Sequence, residues 1–280
     1  MKIALGTAQF GLDYGVINQN GQVTIEEASN ILDLAKNSGI DTLDTASGYG
    51  NSEQALGEIG IDNYQIITKT SPLENGINNV ICDFHQSLEK LDKVQVNGLL
   101  IHNIDDIKNK QFDALFSKLN ELKQQGFVKK IGFSTYTPEQ VDFLLENFDF
   151  DLIQLPFNVF DVRLIEGGQL RALKNKGVEV HSRSVFLQGV LLNFDNLPFY
   201  FSTWKRQFNE YQSIVKESGL SLLENSLNFV LNTKEIDKVL VGVNSEVQLR
   251  EIIQTAKVQG NFNAYFINDM NLLNPSLWRL

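Results

Sequence analysis

Cysteine is nearly absent: Cys82 is the only one in 280 residues, so no disulfide can form within the chain. Its neighbourhood, Val80-Ile81-Cys82-Asp83-Phe84, reads as helical, which predicts a packed thiol and not a nucleophile. Basic charge is also scarce. Twenty-four Lys and Arg against 34 Asp and Glu leave a formal charge of −10. Nucleic acid and anionic membrane both demand a basic face, so neither is expected as a partner. No apolar run is long enough to cross a bilayer. The opening Met1-Lys2-Ile3-Ala4-Leu5-Gly6 lacks the apolar core of a secretion signal, so the expected compartment is the cytoplasm. Metal-ligand clusters are wanting too. His102, Asp105 and Asp106 could share an ion on paper, but no third well-spaced nitrogen or sulfur ligand joins them, and no metal is expected.

What is present is alternation. A hydrophobic content of 42% allows a large core, and no repeat or linker divides 1–280, which reads as one domain. Apolar runs suited to buried parallel strands lie near 2–7, 40–44, 64–68, 96–101, 129–134, 152–156, 178–184 and 237–242. Segments of helical period separate them, at about 25–38, 52–59, 76–91, 111–125, 137–147, 165–176, 200–232 and 246–258. Gly39, Gly126, Gly177 and Gly219 read as helix stops, and Thr24, Ser52 and Thr137 as N-caps. Thr137-Pro138-Glu139-Gln140 carries proline at the first helical position and a glutamine placed for a capping box. Eight strand–helix units predict an α/β fold, a closed (β/α)8 TIM barrel. The rival, an open doubly wound sheet, normally has a glycine-rich turn that opens a helix after its first strand; Gly6-Thr7-Ala8-Gln9-Phe10-Gly11 is not expected to open one.

In such a barrel the carboxyl ends of the strands share one face, where active sites are built. Asp44 ends one apolar run and Tyr49 follows just beyond it; Lys69 ends Tyr64-Gln65-Ile66-Ile67-Thr68-Lys69, and His102 ends Val96-Asn97-Gly98-Leu99-Leu100-Ile101-His102. Separate segments thus deliver an acid, a phenol, an amine and an imidazole to one place. Singly, each has a plain structural reading: Asp44–Lys69 a barrel-mouth ion pair, Tyr49 a rim aromatic, His102 a strand cap. Together they form a catalytic constellation. His85 reads as a helix-packing residue, and His181 as core or as support behind the site.

From about Leu5 to Ile253 the chain resembles the aldo-keto reductases. The motifs are Asp44-Thr45-Ala46-x-x-Tyr49-Gly50-x-x-Glu53-x-x-x-Gly57, Ile66-Ile67-Thr68-Lys69, Leu99-Leu100-Ile101-His102-x-x-Asp105, the run Gly126 to Ser134, and Gln154 with Asn158. The resemblance implies carbonyl reduction with a nicotinamide cofactor. Tyr49 would be the general acid, Lys69 would lower its pKa, Asp44 would hold Lys69, and His102 would orient the substrate carbonyl. It implies cofactor contacts at Gly6, Thr7, Ser134, Gln154, Arg183, Ser184, Leu187, Gly189, Gly242, Asn244, Ser245, Gln248 and Glu251, with Asn158 nearby. Two departures stand out: Thr135 replaces the usual asparagine, and Arg183 replaces a common nicotinamide-stacking aromatic. Arg183 could stack by its guanidinium or pair with a barrel acid. Members selective for NADPH commonly carry Lys or Arg where this chain has Asn244, Ser245 and Gln248, with Arg250 the only nearby cation. NADPH is therefore expected with reduced preference over NADH. Gln9, Phe10 and Tyr14, with Trp278 from the tail, are expected to wall the substrate pocket, and Gln9, Asn18 and Asn103 hint at a hydroxylated carbonyl substrate. Two other classes stay open: a cofactor-binding regulatory subunit on the same barrel, and an isomerase or aldolase using Lys69 as a Schiff base. Oligomeric state is not legible.

Overall fold

Strands buried on both faces need side chains packed inside the sheet and helices outside it. The computed structural model, which describes residues 1–280, meets that need with a closed barrel of eight parallel strands in chain order. They are β1 (Ile3–Gly6), β2 (Thr42–Asp44), β3 (Gln65–Lys69), β4 (Val96–Ile101), β5 (Val128–Ser134), β6 (Leu152–Pro156), β7 (Glu179–Arg183) and β8 (Lys238–Gly242). Every strand falls inside or within one residue of its predicted run, and β8 pairs with β1 to close the ring. Ile67, Leu100 and Leu152 fill the barrel interior as a small cluster of their own. The larger core lies between strands and helices. Gly132 permits the close approach of β5 to β6, since a Cβ there would sit 1.6 Å from the Leu152 carbonyl oxygen.

The helices are α1 (Ala8–Gly11), α2 (Ile25–Asn37), α3 (Ser52–Ile59), α4 (Ile77–Lys90), α5 (Phe112–Gln124), α6 (Pro138–Asn147), α7 (Arg163–Glu166), α8 (Gln169–Asn175), α9 (Lys205–Glu217), α10 (Leu222–Leu231), α11 (Glu246–Thr255) and α12 (Met270–Leu273). The capping box at Thr137–Gln140 is present, and Thr24 and Ser245 cap α2 and α11. Four corrections arise. Ala8–Gly11 does form a helical turn, though a single one that ends where Gly11 meets the Tyr49 backbone. Ser52 does not cap α3: it is the first helical residue, and its Oγ donates to the Thr7 carbonyl at 2.8 Å. The segment 165–176 is two helices, broken where Gly168 takes φ +81°. Cys82 is exposed, because the period of α4 turns Val80, Phe84 and Leu88 inward and leaves Cys82 on the outer side. A second core cluster lies outside the barrel, where Phe160, Phe201, Trp204 and Tyr211 pack with Leu272 and Leu273 of the tail.

Candidate active site

At the carboxyl end of the barrel a groove of about 350 Å³ runs from Asp44 and Tyr49, past the loop after β7, to the start of α11. Its inner end is held by strand ends. The Lys69 Nζ of β3 lies 2.6 Å from Asp44 Oδ1 of β2 and donates to the Thr45 carbonyl at 2.8 Å. Both side chains are almost wholly shut from water. Burial works to lower the Lys69 pKa, but the Asp44 carboxylate, with Tyr49, outweighs it and holds the ammonium above its ordinary value. The second Asp44 oxygen accepts from Gln154 Nε2 at 2.7 Å. Asp44 is therefore fully engaged, and Lys69 is fixed in place and charged. Behind this pair, Glu53 accepts from the Thr68 hydroxyl at 2.6 Å, tying α3 to β3.

Tyr49 sits in the loop between β2 and α3, with the Lys69 ammonium 4.9 Å from its ring centroid. The loop is pinned by backbone contact: a Cβ on Gly11 would lie 1.8 Å from the Tyr49 carbonyl oxygen, and one on Gly50 2.3 Å from that of Gly11. Gly50 also takes φ +57°, which favours glycine. His102, past the end of β4, stands edge-to-face with Tyr49 at 6.0 Å between centroids. Burial, then the Lys69 ammonium, push the imidazole pKa down to about 4. It is neutral at neutral pH and keeps one N–H to donate. The four expected catalytic side chains thus come together.

Along the groove, Gly6, Thr7, Gln9, Tyr14, Gln154, Arg183 and Ser184 line the walls, followed by Gly189, Gly242, Asn244, Gln248 and Glu251. Arg183 pairs with no acid; its guanidinium lies over the Tyr136 ring at 4.1 Å and donates to the Thr135 carbonyl at 2.8 Å. Ser134 is buried in register with Gln154, while the Leu187 side chain belongs to the outer core. Asn158 is spent on structure, donating to the Ser184 carbonyl and accepting from the Phe160 and Asp161 amides. Phe10 is buried in the main core, and Trp278 packs on Phe201 with its indole N–H on the Leu272 carbonyl; neither walls the groove, which corrects that expectation. Sequence reasoning missed Tyr136, and also Ile17 and Leu223, which line the groove without any motif to mark them. His181 is fully buried, as expected, with Nε2 2.8 Å from Glu179 Oε1.

Val185 and Phe186 line the middle of the groove, and their N–H groups donate to nothing in the chain. Ser184, Leu187 and Gln188 around them hold left-handed backbone, at φ +57°, +48° and +54°. Such a run of free amides makes an anion-binding concavity of the kind that takes phosphate. The donors present therefore fit the pyrophosphate of a dinucleotide.

The aldo/keto reductase family model matches residues 2–274. An L-galactose dehydrogenase of Arabidopsis thaliana is 25% identical over 270 residues, covering 89% of this chain and 82% of that protein. An oxidoreductase of Leptosphaeria maculans is 28% identical over 204 residues, which is 68% of this chain and 61% of that one. Among solved structures, an aldo-keto reductase of Bacillus halodurans in its holo form superposes with a TM-score of 0.73 at 21% identity, over 93% of this chain and 88% of the other. With a barrel of this topology and a family match over nearly its whole length, the chain belongs to the aldo/keto reductase family of oxidoreductases.

Proposed function

We propose that the protein is an NAD(P)H-dependent oxidoreductase that reduces an aldehyde or ketone to an alcohol, with Tyr49 as general acid. One observation carries this reading: a buried ammonium, held by Asp44 at 2.6 Å, lies 4.9 Å from the Tyr49 ring at the end of a groove fit for a dinucleotide. A free phenol has a pKa near about 10, too high for an efficient acid at neutral pH. The Lys69 charge in a water-poor site stabilises the negative charge that builds on the Tyr49 oxygen as its proton passes to the carbonyl oxygen. Neutral His102 donates its N–H to the same oxygen, aligning it and stabilising the charge that builds there. When bound, the nicotinamide supplies the hydride that goes to the carbonyl carbon. Gly6 and Thr7, the free amides of Val185 and Phe186, and Asn244, Gln248 and Glu251 would hold the dinucleotide along the groove.

Lys69 does not suit Schiff-base chemistry, because that requires a depressed pKa and Asp44 drives it upward. For substrate, a hydroxylated carbonyl compound of the sugar class fits polar Gln9 in the groove wall, whereas Asn18 spends its amide on Asp13, Gly21 and Asn20 of its own loop. The Arabidopsis relative, named for L-galactose, points the same way. The test is loss of NADH and NADPH absorbance with a panel of sugar aldehydes and simple ketones. Tyr49→Phe is expected to lower turnover by about 10²–10⁴-fold, the usual worth of a general acid, with cofactor affinity little changed. Equal turnover in the two proteins removes Tyr49 from the chemistry, and cofactor binding without turnover in either favours a regulatory subunit.

A further inference from the structure

The middle and the far end of the groove offer opposite chemistry. In the middle, the Val185 and Phe186 amides are free to meet an anion. At the far end, where β8 leads into α11, three amides are taken from within. The Asn244 N–H donates to Gln248 Oε1 at 2.8 Å, and the Gln248 N–H donates to Ser245 Oγ at 3.3 Å. The Glu246 N–H, at the first position of α11, donates at 2.6 Å to the carboxylate of Glu27, which reaches over from α2. The Ser245 and Val247 amides on either side of it donate to nothing in the chain, so an anion that meets them also meets the Glu27 carboxylate. Arg250, the one cation in α11, is paired with Glu246. The side chains facing the groove there add no free cation: the Asn244 Oδ1 is buried with no partner, and the Glu251 carboxylate lines the wall.

This imbalance bears on what the far end can bind. Taking the groove as a dinucleotide site with its reacting end at Tyr49, as proposed above, the adenosine ribose falls at the start of α11. A 2′-phosphate brings nearly two negative charges and only acceptors, so it needs donors and cations. A free 2′-hydroxyl brings a donor and suits a carboxylate or amide oxygen. A helix N-terminus that would ordinarily attract a phosphate here already has an anion seated on it.

We propose that Glu27 is a specificity-determining residue: its carboxylate on the N-terminus of α11 turns the site against 2′-phosphorylated adenosine, so that the enzyme takes NADH in preference to NADPH. Glu27→Gln is the informative variant, because it keeps an oxygen for the Glu246 amide and removes only the charge. The measurement is a fluorescence or calorimetric titration of wild type, Glu27→Gln and Glu27→Lys with NADH and with NADPH, after thermal melts confirm that each variant folds. Wild type is expected to bind NADH at least ~10-fold more tightly, a difference of about 1.4 kcal/mol. The ratio is expected to shrink several-fold in Glu27→Gln and further in Glu27→Lys, through tighter NADPH binding and little change for NADH. Equal or tighter binding of NADPH by wild type overturns the proposal, as does a ratio unmoved by both variants; either result leaves the dinucleotide groove intact. Binding of neither cofactor by folded wild type overturns this proposal together with the reading of the groove.

Discussion

Lys69 answers two demands with one side chain: it closes a buried charge pair and, in the proposed mechanism, sets a positive charge beside the Tyr49 phenol. Removing it strands Asp44, which then keeps only the Gln154 amide as a partner. Breaking a buried pair from one side costs about 3–5 kcal/mol, so Lys69→Met should be far less stable in urea as well as inactive. Asp44→Asn in the same background should recover part of that stability and none of the turnover. His102 gives a pH test. Its folded pKa, near 4, lies below the ordinary 6.5, so the unfolded chain binds the proton more readily. Its contribution to stability is therefore full above pH 6.5 and is lost as pH falls toward 4. NMR titration should show one imidazole neutral down to about pH 4, and that signal should vanish in His102→Asn. A resonance titrating near 6.5 instead would mean that the imidazole is not buried against Lys69. The four side chains of the proposed reaction were legible in the sequence because strand ends project to one face whatever the loops do. The Gln154 bond to Asp44 was not, since 110 residues separate them and only barrel closure brings them together. Nor was Tyr136 beneath Arg183, because loop geometry and not strand period sets that contact.

At the scale of elements, local signals were readable wherever one short motif decides the outcome. The Thr137–Gln140 box starts α6 by closing two hydrogen bonds within four residues, and Thr137→Ala should cost about 1 kcal/mol in a thermal or urea melt. The division of 165–176 into α7 and α8 turned on backbone at Gly168 that two adjacent glycines permit but do not compel. Backbone meeting backbone leaves still less trace in a sequence. Gly11 and Gly50 interlock at under van der Waals distance for any added carbon, and this contact seats the Tyr49 loop. Gly11→Ala should push that loop outward and lower kcat by at least about tenfold, as small misplacements of reacting groups do. NADH affinity should change much less, because the far end of the groove is untouched. Equal losses in kcat and affinity would mean that the whole barrel mouth had shifted.

Over the whole molecule, alternation of period foretold the barrel but not the layer outside it. The tail folds back, with the Tyr265 amide on the Val159 carbonyl and the Ile267 amide on that of Phe160, and it helps cover the outer aromatic cluster. No periodic pattern announces such a segment; its place is fixed by long-range pairing alone. The end of the barrel opposite the groove is polar for reasons unconnected with the chemistry. There Glu179 bridges buried His181 and Lys130, and Lys238 pairs with Asp41 at 2.5 Å, while His181 Nδ1 is bonded to nothing. His181 first, and Lys130 after it, hold the Glu179 carboxyl near 2 against the effect of burial. Taking Glu179 away alone would leave buried His181 with neither ring nitrogen bonded and should lower the melting temperature. Exchanging Glu179 and His181 together for apolar side chains of similar volume, with Lys130 left in water, removes the orphaned nitrogen as well, and such swaps of buried polar pairs are often neutral or stabilising. That floor is thus the place to engineer a hardier enzyme: a redesigned plug there is expected to raise heat tolerance while leaving kcat and cofactor choice as they were.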